Sequence, residues 1–355
     1  MFDALHVPEV QDKAESFIRR LGQAVFSQEF RRHQSREGGR PAPSPLLSCF
    51  LDAFPHALAR DQPAQIAKME SVVGLIISDL VAMSHQPGVN TGDILGVLHQ
   101  LIHRFNSLCL DDSWTRKSAG CRAIRLIANS PDFGRRLVSD REVDLVRNLL
   151  HILKDLPHDL PRNVEEVVNA LIEILKIGNA HLDLQTDAAR IKVVQLASVF
   201  VTELQSPNAL VREAAQKCIQ LLEEISGRPA GELLAPHRER MMLGIYTKPL
   251  RALPFSKQIG MIEAIRYCVG LEPPLVELND ELLRLLHETL ALADADDTQL
   301  MAPRNTRSAA GVEIVKLRVA CIKLLTASMA LTDFFSRQPA TRQKYGNILF
   351  FDHHF

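Results

Sequence analysis

The sequence predicts an all-α chain of stacked antiparallel helix pairs, on three observations. Aromatic residues are only 5% of the 355, while leucine, isoleucine, alanine and valine supply most of an apolar fraction of 46%. That balance suits packed helices better than strands, which favour aromatic and β-branched side chains. Apolar residues recur at helical spacing in segment after segment, with no convincing strand-like alternation. The third observation is a short signature that returns along the chain.

Taken in order, AESFIRRLGQAVF puts Phe17, Ile18, Leu21 and Val25 on one predicted helix face. VEEVVNALIEILKIG does the same with Val164, Val167, Val168, Leu171, Ile174 and Leu175, and LLRLLHETLAL repeats it with leucines. In KPLRALPFSKQIGMIEAIRYCVGL, Pro249 and Pro254 frame a turn, and Phe255, Ile259, Ile262, Ile265 or Arg266, and Val269 follow at helical spacing. Gly260 inside that helix costs about 1 kcal/mol against alanine, so a neighbouring backbone is expected close by. SPN, LPHDLP, LEPP and NTRS mark helix-to-helix turns.

The signature occurs at 113–128, 208–225 and 313–329. A basic residue (Arg116, Arg212, Arg318) precedes a small pair (Ala119 with Gly120, Ala214 with Ala215, Ala320 with Cys321), then isoleucine and leucine. This is the pattern of the second helix of a HEAT-type repeat, where small residues let neighbouring helices approach. Arg116 to Arg212 is 96 residues and Arg212 to Arg318 is 106, each about two periods of roughly 40 to 47 residues. The expected fold is a HEAT-type α-solenoid over 1–344, with flexible loops at about 33–45 and 293–311 that need no domain boundary.

Composition narrows the function. Lysine plus arginine (41) nearly cancels aspartate plus glutamate (42), so no basic excess points to nucleic acid. Cys49, Cys109, Cys121, Cys218, Cys268 and Cys321 lie far apart without a C-x-x-C pair, as expected of reduced thiols packed in an intracellular protein. MFDALHVPEVQDK lacks the pattern of a secretory leader, and apolar runs such as VVGLIISDLVAM stop short of a bilayer span. A soluble protein is expected.

No motif assembles a reaction centre. Asp132-Phe133-Gly134 matches the magnesium-binding triplet of kinases, but no glycine-rich loop, lysine-bearing strand motif or H-R-D loop accompanies it, so a turn is expected. His99 and His103 could share a helix face for zinc, but Gln100 stands where a general-base glutamate would, and no third ligand is indicated. The run 294–297 (DADD) lacks EF-hand spacing, and FRRHQSR at 30–36 reads as a helix end running into a loop. The C-terminal His353 and His354 carry still less weight as ligands. Catalytic, cofactor-binding and metal residues are each expected to be none.

The run LLAPHRERMMLGIYTKPLRALPFSKQIGMIEAIRYCVGLEPP, followed by LNDELLRLLHETLALADADD, resembles the HEAT-repeat region of the TRRAP (transformation/transcription domain-associated protein) family. DALHVPEVQDKAESFIRRL, FSQEFRRHQ and VKLRVACIKLL are similar to the same family in the same order, from about Ala4 to Lys344. That family belongs to the phosphatidylinositol-3-kinase-related kinases, with a C-terminal pseudokinase domain that has no counterpart here. The resemblance implies a nuclear, non-catalytic scaffold of histone acetyltransferase coactivator complexes, of the SAGA and nucleosomal types. Its implied partners are transcription activators and acetyltransferase-complex subunits, with no cofactor, small-molecule substrate, membrane or direct nucleic-acid contact. An active kinase of the same superfamily and an unrelated HEAT adaptor are the competing readings. The chain is expected to begin inside the family's solenoid, and YGNILFFDHHF at 345–355 to be a non-matching tail from an incomplete gene model or read-through.

A solenoid interior also predicts bare ends. Terminal repeats need polar outer faces, and neither AESFIRRL nor the tail supplies one.

Overall fold

Helices account for all the regular structure in the computed structural model, which describes residues 2–34, 42–156, 161–183, 186–247, 249–276, 279–301 and 310–329. No strand occurs among them, and no helix among them is long and apolar enough to cross a membrane. The fold class is that of an all-α HEAT-type solenoid. Contacts divide the chain into two units, Met1–Leu182 and Asp183–Phe355.

The first unit holds α1 (Gln11–Gln34), α2 (Pro45–Leu58), α3 (Pro63–Ala82), α4 (Thr91–Leu108), α5 (Trp114–Ala128), α6 (Gly134–Asp155) and α7 (Pro161–Asn179). Consecutive helices pair as α2 with α3, α4 with α5 and α6 with α7. The pairs stack into two layers, α1, α3, α5 and α7 in one and α2, α4 and α6 in the other. Local chemistry sets the helix starts. Ser44 accepts a hydrogen bond from the Leu47 amide with Pro45 at the first helical position, and the Asn90 side chain accepts from the Gly92 amide.

Burial then follows the apolar stripes. Phe26, Phe50 and Phe54 meet edge to face, with centroids 5.8 and 5.2 Å apart, and Phe2 joins Phe54 at 5.8 Å. Each such fully buried side chain stabilises by about 1.5–3 kcal/mol. In α7, Val167, Leu171, Ile174 and Leu175 are buried as expected, while Val164 and Val168 are half-buried. Phe17 departs from the expectation: it is 60% exposed, and the core stripe of α1 runs through Ile18, Gly22, Val25, Phe26 and Phe30. One position along a helix is a 100° rotation, enough to carry Phe17 off the face that Ile18 occupies.

The second unit holds α8 (Asp187–Glu203), α9 (Ala209–Ser226), α10 (Ala230–Leu234), α11 (Arg238–Tyr246), α12 (Phe255–Val269), α13 (Asp280–Asp294), α14 (Asp297–Met301) and α15 (Ala310–Met329). α8 packs on α9 with α10 against both, and α15 packs on α12 and α13. Asn208 and Asn279 side chains cap α9 and α13, and Gly227 closes α9 in the left-handed region at φ 62°. In α12, Phe255, Ile259, Ile262, Ile265 and Val269 are buried, while Arg266, the alternative to Ile265 in the expected stripe, is half-buried.

The repeated signature has a structural counterpart in all three helices. The small pairs are buried, and a Cβ on Gly120 would stand 2.9 Å from Cys109 Sγ and 3.0 Å from the Cys109 amide nitrogen. Arg116 and Arg212 reach back to the connection before their own helix, and Arg318 to the turn between α13 and α14. Arg116 pairs with Asp111 at 2.8 Å, and Arg212 donates to the carbonyls of Ser206 and Pro207 at 2.6 and 3.1 Å. Arg318 donates to the Ala295 carbonyl and pairs with Asp297, both at 2.7 Å. The signature thus combines close helix approach with a tether on the turn.

α1 continues through Gln34 and α2 begins at Pro45, with 35–41 outside the described residues; within 293–311, Asp297 opens α14 and 302–309 lie outside.

Candidate interaction surface

Ion pairs cross the α1, α3, α5, α7 layer from helix to helix. Glu15 pairs with Lys68 at 2.7 Å and Arg19 with Asp79 at 2.8 Å, joining α1 to α3. Arg122 of α5 lies 2.7 Å from Glu70 of α3 and 3.8 Å from Glu166 of α7, and Arg125 lies 2.6 Å from Glu173 of α7. Asn129 also donates to Glu173. Arg122 is 11% exposed in its side chain, so its charge must be matched locally. Burial, with a smaller contribution from the Glu166 charge, raises the Glu70 carboxyl above its ordinary value despite Arg122 beside it. Sequence reading missed this ladder because its partners lie one repeat apart, as with Arg125 and Glu173 at 48 residues. Opposite charges recurring at that period are the signal that could have found it.

α15 presents a different surface. Val312, Val315, Val319, Ile322 and Met329 are each between 42 and 60% exposed. Their spacing of three and four residues, with one wider step to Met329, places them on one helix face, opposite the buried Ile314, Leu317, Cys321 and Leu324. The exposed Lys316 and Lys323 run along one edge of that stripe. Together these residues form an apolar band with a basic margin.

The motifs weighed in the sequence fall into structural places. Asp132 takes φ 61° in the turn between α5 and α6, and a Cβ on Gly134 would meet the Ala128 carbonyl oxygen at 2.1 Å. The triplet is a tight turn whose glycine is required by packing. His99 lies 3.9 Å from Asp140 of α6 while His103 is exposed, and no group of three metal-ligating side chains gathers among the described residues. Of FRRHQSR, Phe30 is buried, Arg32 pairs with Glu29, and His33 sits between Glu29 at 3.2 Å and Asp93 at 2.9 Å. Arg32 also donates to the Ala42 carbonyl at 2.9 Å, so these groups hold a helix end. Ser35 and Arg36, like His353 and His354, lie outside the described residues. Asp297 of the DADD run pairs with Arg318 at 2.7 Å.

Five of the six cysteines are buried, and Cys49 is exposed on α2. Desolvation drives the Cys109, Cys218 and Cys321 thiols up to about 12 and raises those of Cys121 and Cys268 as well. They are packed side chains, with the thiolate strongly disfavoured.

Comparison with known proteins matches these features to a family. The family model described as the Tra1 HEAT repeat ring region matches residues 1–351. The SAGA complex/NuA4 acetyltransferase complex subunit TRA1 of Saccharomyces cerevisiae is 30% identical over 302 residues, 82% of this chain and 8% of that protein. The corresponding subunit of Schizosaccharomyces pombe is 35% identical over 256 residues, 71% of this chain and 7% of that protein. The human transformation/transcription domain-associated protein is 25% identical over 328 residues, 89% of this chain and 8% of that protein. The chain therefore spans less than a tenth of these relatives, in an internal HEAT region, and it belongs to the Tra1 HEAT repeat ring family.

Proposed function

We propose that this chain is part of a non-catalytic nuclear scaffold of histone acetyltransferase coactivator complexes, receiving transcription activators and binding partner subunits. The observation that carries the reading is its likeness to yeast proteins named as subunits of SAGA and NuA4 acetyltransferase complexes, at 30 and 35% identity. The surface chemistry agrees with it. Activation segments are commonly acidic and apolar, folding as they dock, and the α15 band offers apolar contacts with Lys316 and Lys323 beside them. Helix pairs in layers suit extended protein contacts better than enclosure of a small substrate.

Affinity purification of the full-length gene product tests the reading. Acetyltransferase subunits among the recovered partners support it. Their consistent absence, or protein-kinase activity that survives stringent washing and is lost on substitution of the product's own catalytic residues, overturns it.

A further inference from the structure

Between α3 and α5 the surface of the first unit opens into a cavity of about 430 Å³. Gly74 and Leu126 line it, and a Cβ on Gly74 would come no closer than 3.8 Å to Leu126, so the wall stays open there. At one end, Glu70 and Glu166 flank Arg122, at 2.7 and 3.8 Å, while Arg125 is taken up by Glu173 at 2.6 Å. Three carboxylates thus share two guanidinium groups. Glu166 has the weakest share, with the long contact to Arg122 and a 3.3 Å hydrogen bond from the Ser118 hydroxyl. At the other end, Ser130 also lines the cavity; it is 8% exposed and its hydroxyl has no partner among the described residues. Such a group is normally hydrogen-bonded.

We propose that this cavity is a docking groove for a short polypeptide segment of a partner that carries a lysine or arginine. The cationic head sits against Glu166 and Glu70, its aliphatic stem lies on Leu126, and the Ser130 hydroxyl meets the segment's backbone. From Arg122 to Ser130 the helix and its end advance about 12 Å at 1.5 Å per residue, a length that three or four extended residues cover. A cation supplies the charge that the carboxylates lack, whereas an acidic segment would add a fourth carboxylate in a partly buried site. The groove's chemistry is independent of the complex to which the protein belongs.

The test is fluorescence anisotropy of the full chain with a labelled, end-blocked peptide of alternating lysine and alanine. Its counterparts with acetyl-lysine and with glutamate are measured beside it. The lysine peptide is expected to bind at least tenfold more tightly than either. Gly74→Met fills the groove while improving helix propensity and should abolish binding without lowering the melting temperature. Glu166→Gln should weaken binding about tenfold, and Glu224→Gln on the exposed face of α9 should leave it unchanged. No binding of the lysine peptide, equal binding by the glutamate peptide, or full binding by both Gly74→Met and Glu166→Gln overturns the proposal. If Gly74→Met fails to fold, Glu166→Gln decides.

Discussion

Gly260 of α12 lies against the backbone of the turn before α9: a Cβ there would stand 2.7 Å from the Ser206 carbonyl oxygen and 2.8 Å from that of Gln205. The glycine sits inside a continuous helix, where alanine would be favoured, yet has a packing reason. Gly260→Val should lower stability by about 1–3 kcal/mol, the usual cost of overpacking, despite the improved helix propensity. Gly74→Ala, with room around it, should instead raise stability by up to about 1 kcal/mol. Thermal unfolding of both variants checks the contrast, and equal melting temperatures would remove the packing account of Gly260.

Arg212 is 7% exposed and donates to the Ser206 and Pro207 carbonyls. Arg212→Met keeps much of the volume but leaves two turn carbonyls without this donor, and is expected to cost about 1–3 kcal/mol. Denaturant titration measures it; a change below 0.5 kcal/mol in either direction, of the order typical of surface sites, would mean the turn is held by other contacts.

The α15 band is expected to make the chain by itself prone to associate. Val315→Gln and Ile322→Gln together should reduce self-association in sedimentation velocity while hardly moving the melting temperature, because both side chains are more than half exposed. A wild-type chain that stays monodisperse at high concentration contradicts this.

The cysteines should divide by burial. Iodoacetamide at neutral pH is expected to modify Cys49 quickly in the folded protein and Cys109, Cys121, Cys218 and Cys268 only after unfolding, since burial holds those thiols protonated. Mass mapping of early labelling gives the answer, and rapid native-state labelling of Cys109 or Cys268 would contradict it.

Lys117 donates to Asp155 at 2.6 Å and holds that carboxyl below its ordinary 3.8. A carboxyl depressed in the fold contributes stability above its unfolded pKa and loses it as pH falls through the folded value. Stability should therefore decline below about pH 4 less steeply in Lys117→Met than in the wild type, measured by urea unfolding across pH. Glu70 acts in the opposite sense. Its carboxyl is raised above 4.5 by burial, so protonating it as pH falls through that raised value favours the fold, and Glu70→Gln should remove that contribution.

Apolar periodicity made the helices legible, and the three-fold signature made the HEAT pairing legible, because both depend on residues close in sequence. The close approach at Gly260 could be expected from a glycine placed where a helix would prefer alanine. Its partner, the Ser206 carbonyl, could not, since it belongs to another repeat. Phe17 shows a limit of the stripe argument: a single residue's rotation about α1 decided that it faces out.

The sequence by itself determined an all-α repeat chain and its family likeness. Only the tertiary structure decided which charges meet, with Arg122 shared between Glu70 and Glu166, and which face of α15 is left apolar beside Lys316 and Lys323. Helix periodicity is set by neighbours three and four residues away, whereas interactions between helices depend on how successive repeats stack, and that geometry is spread over side chains some fifty positions apart.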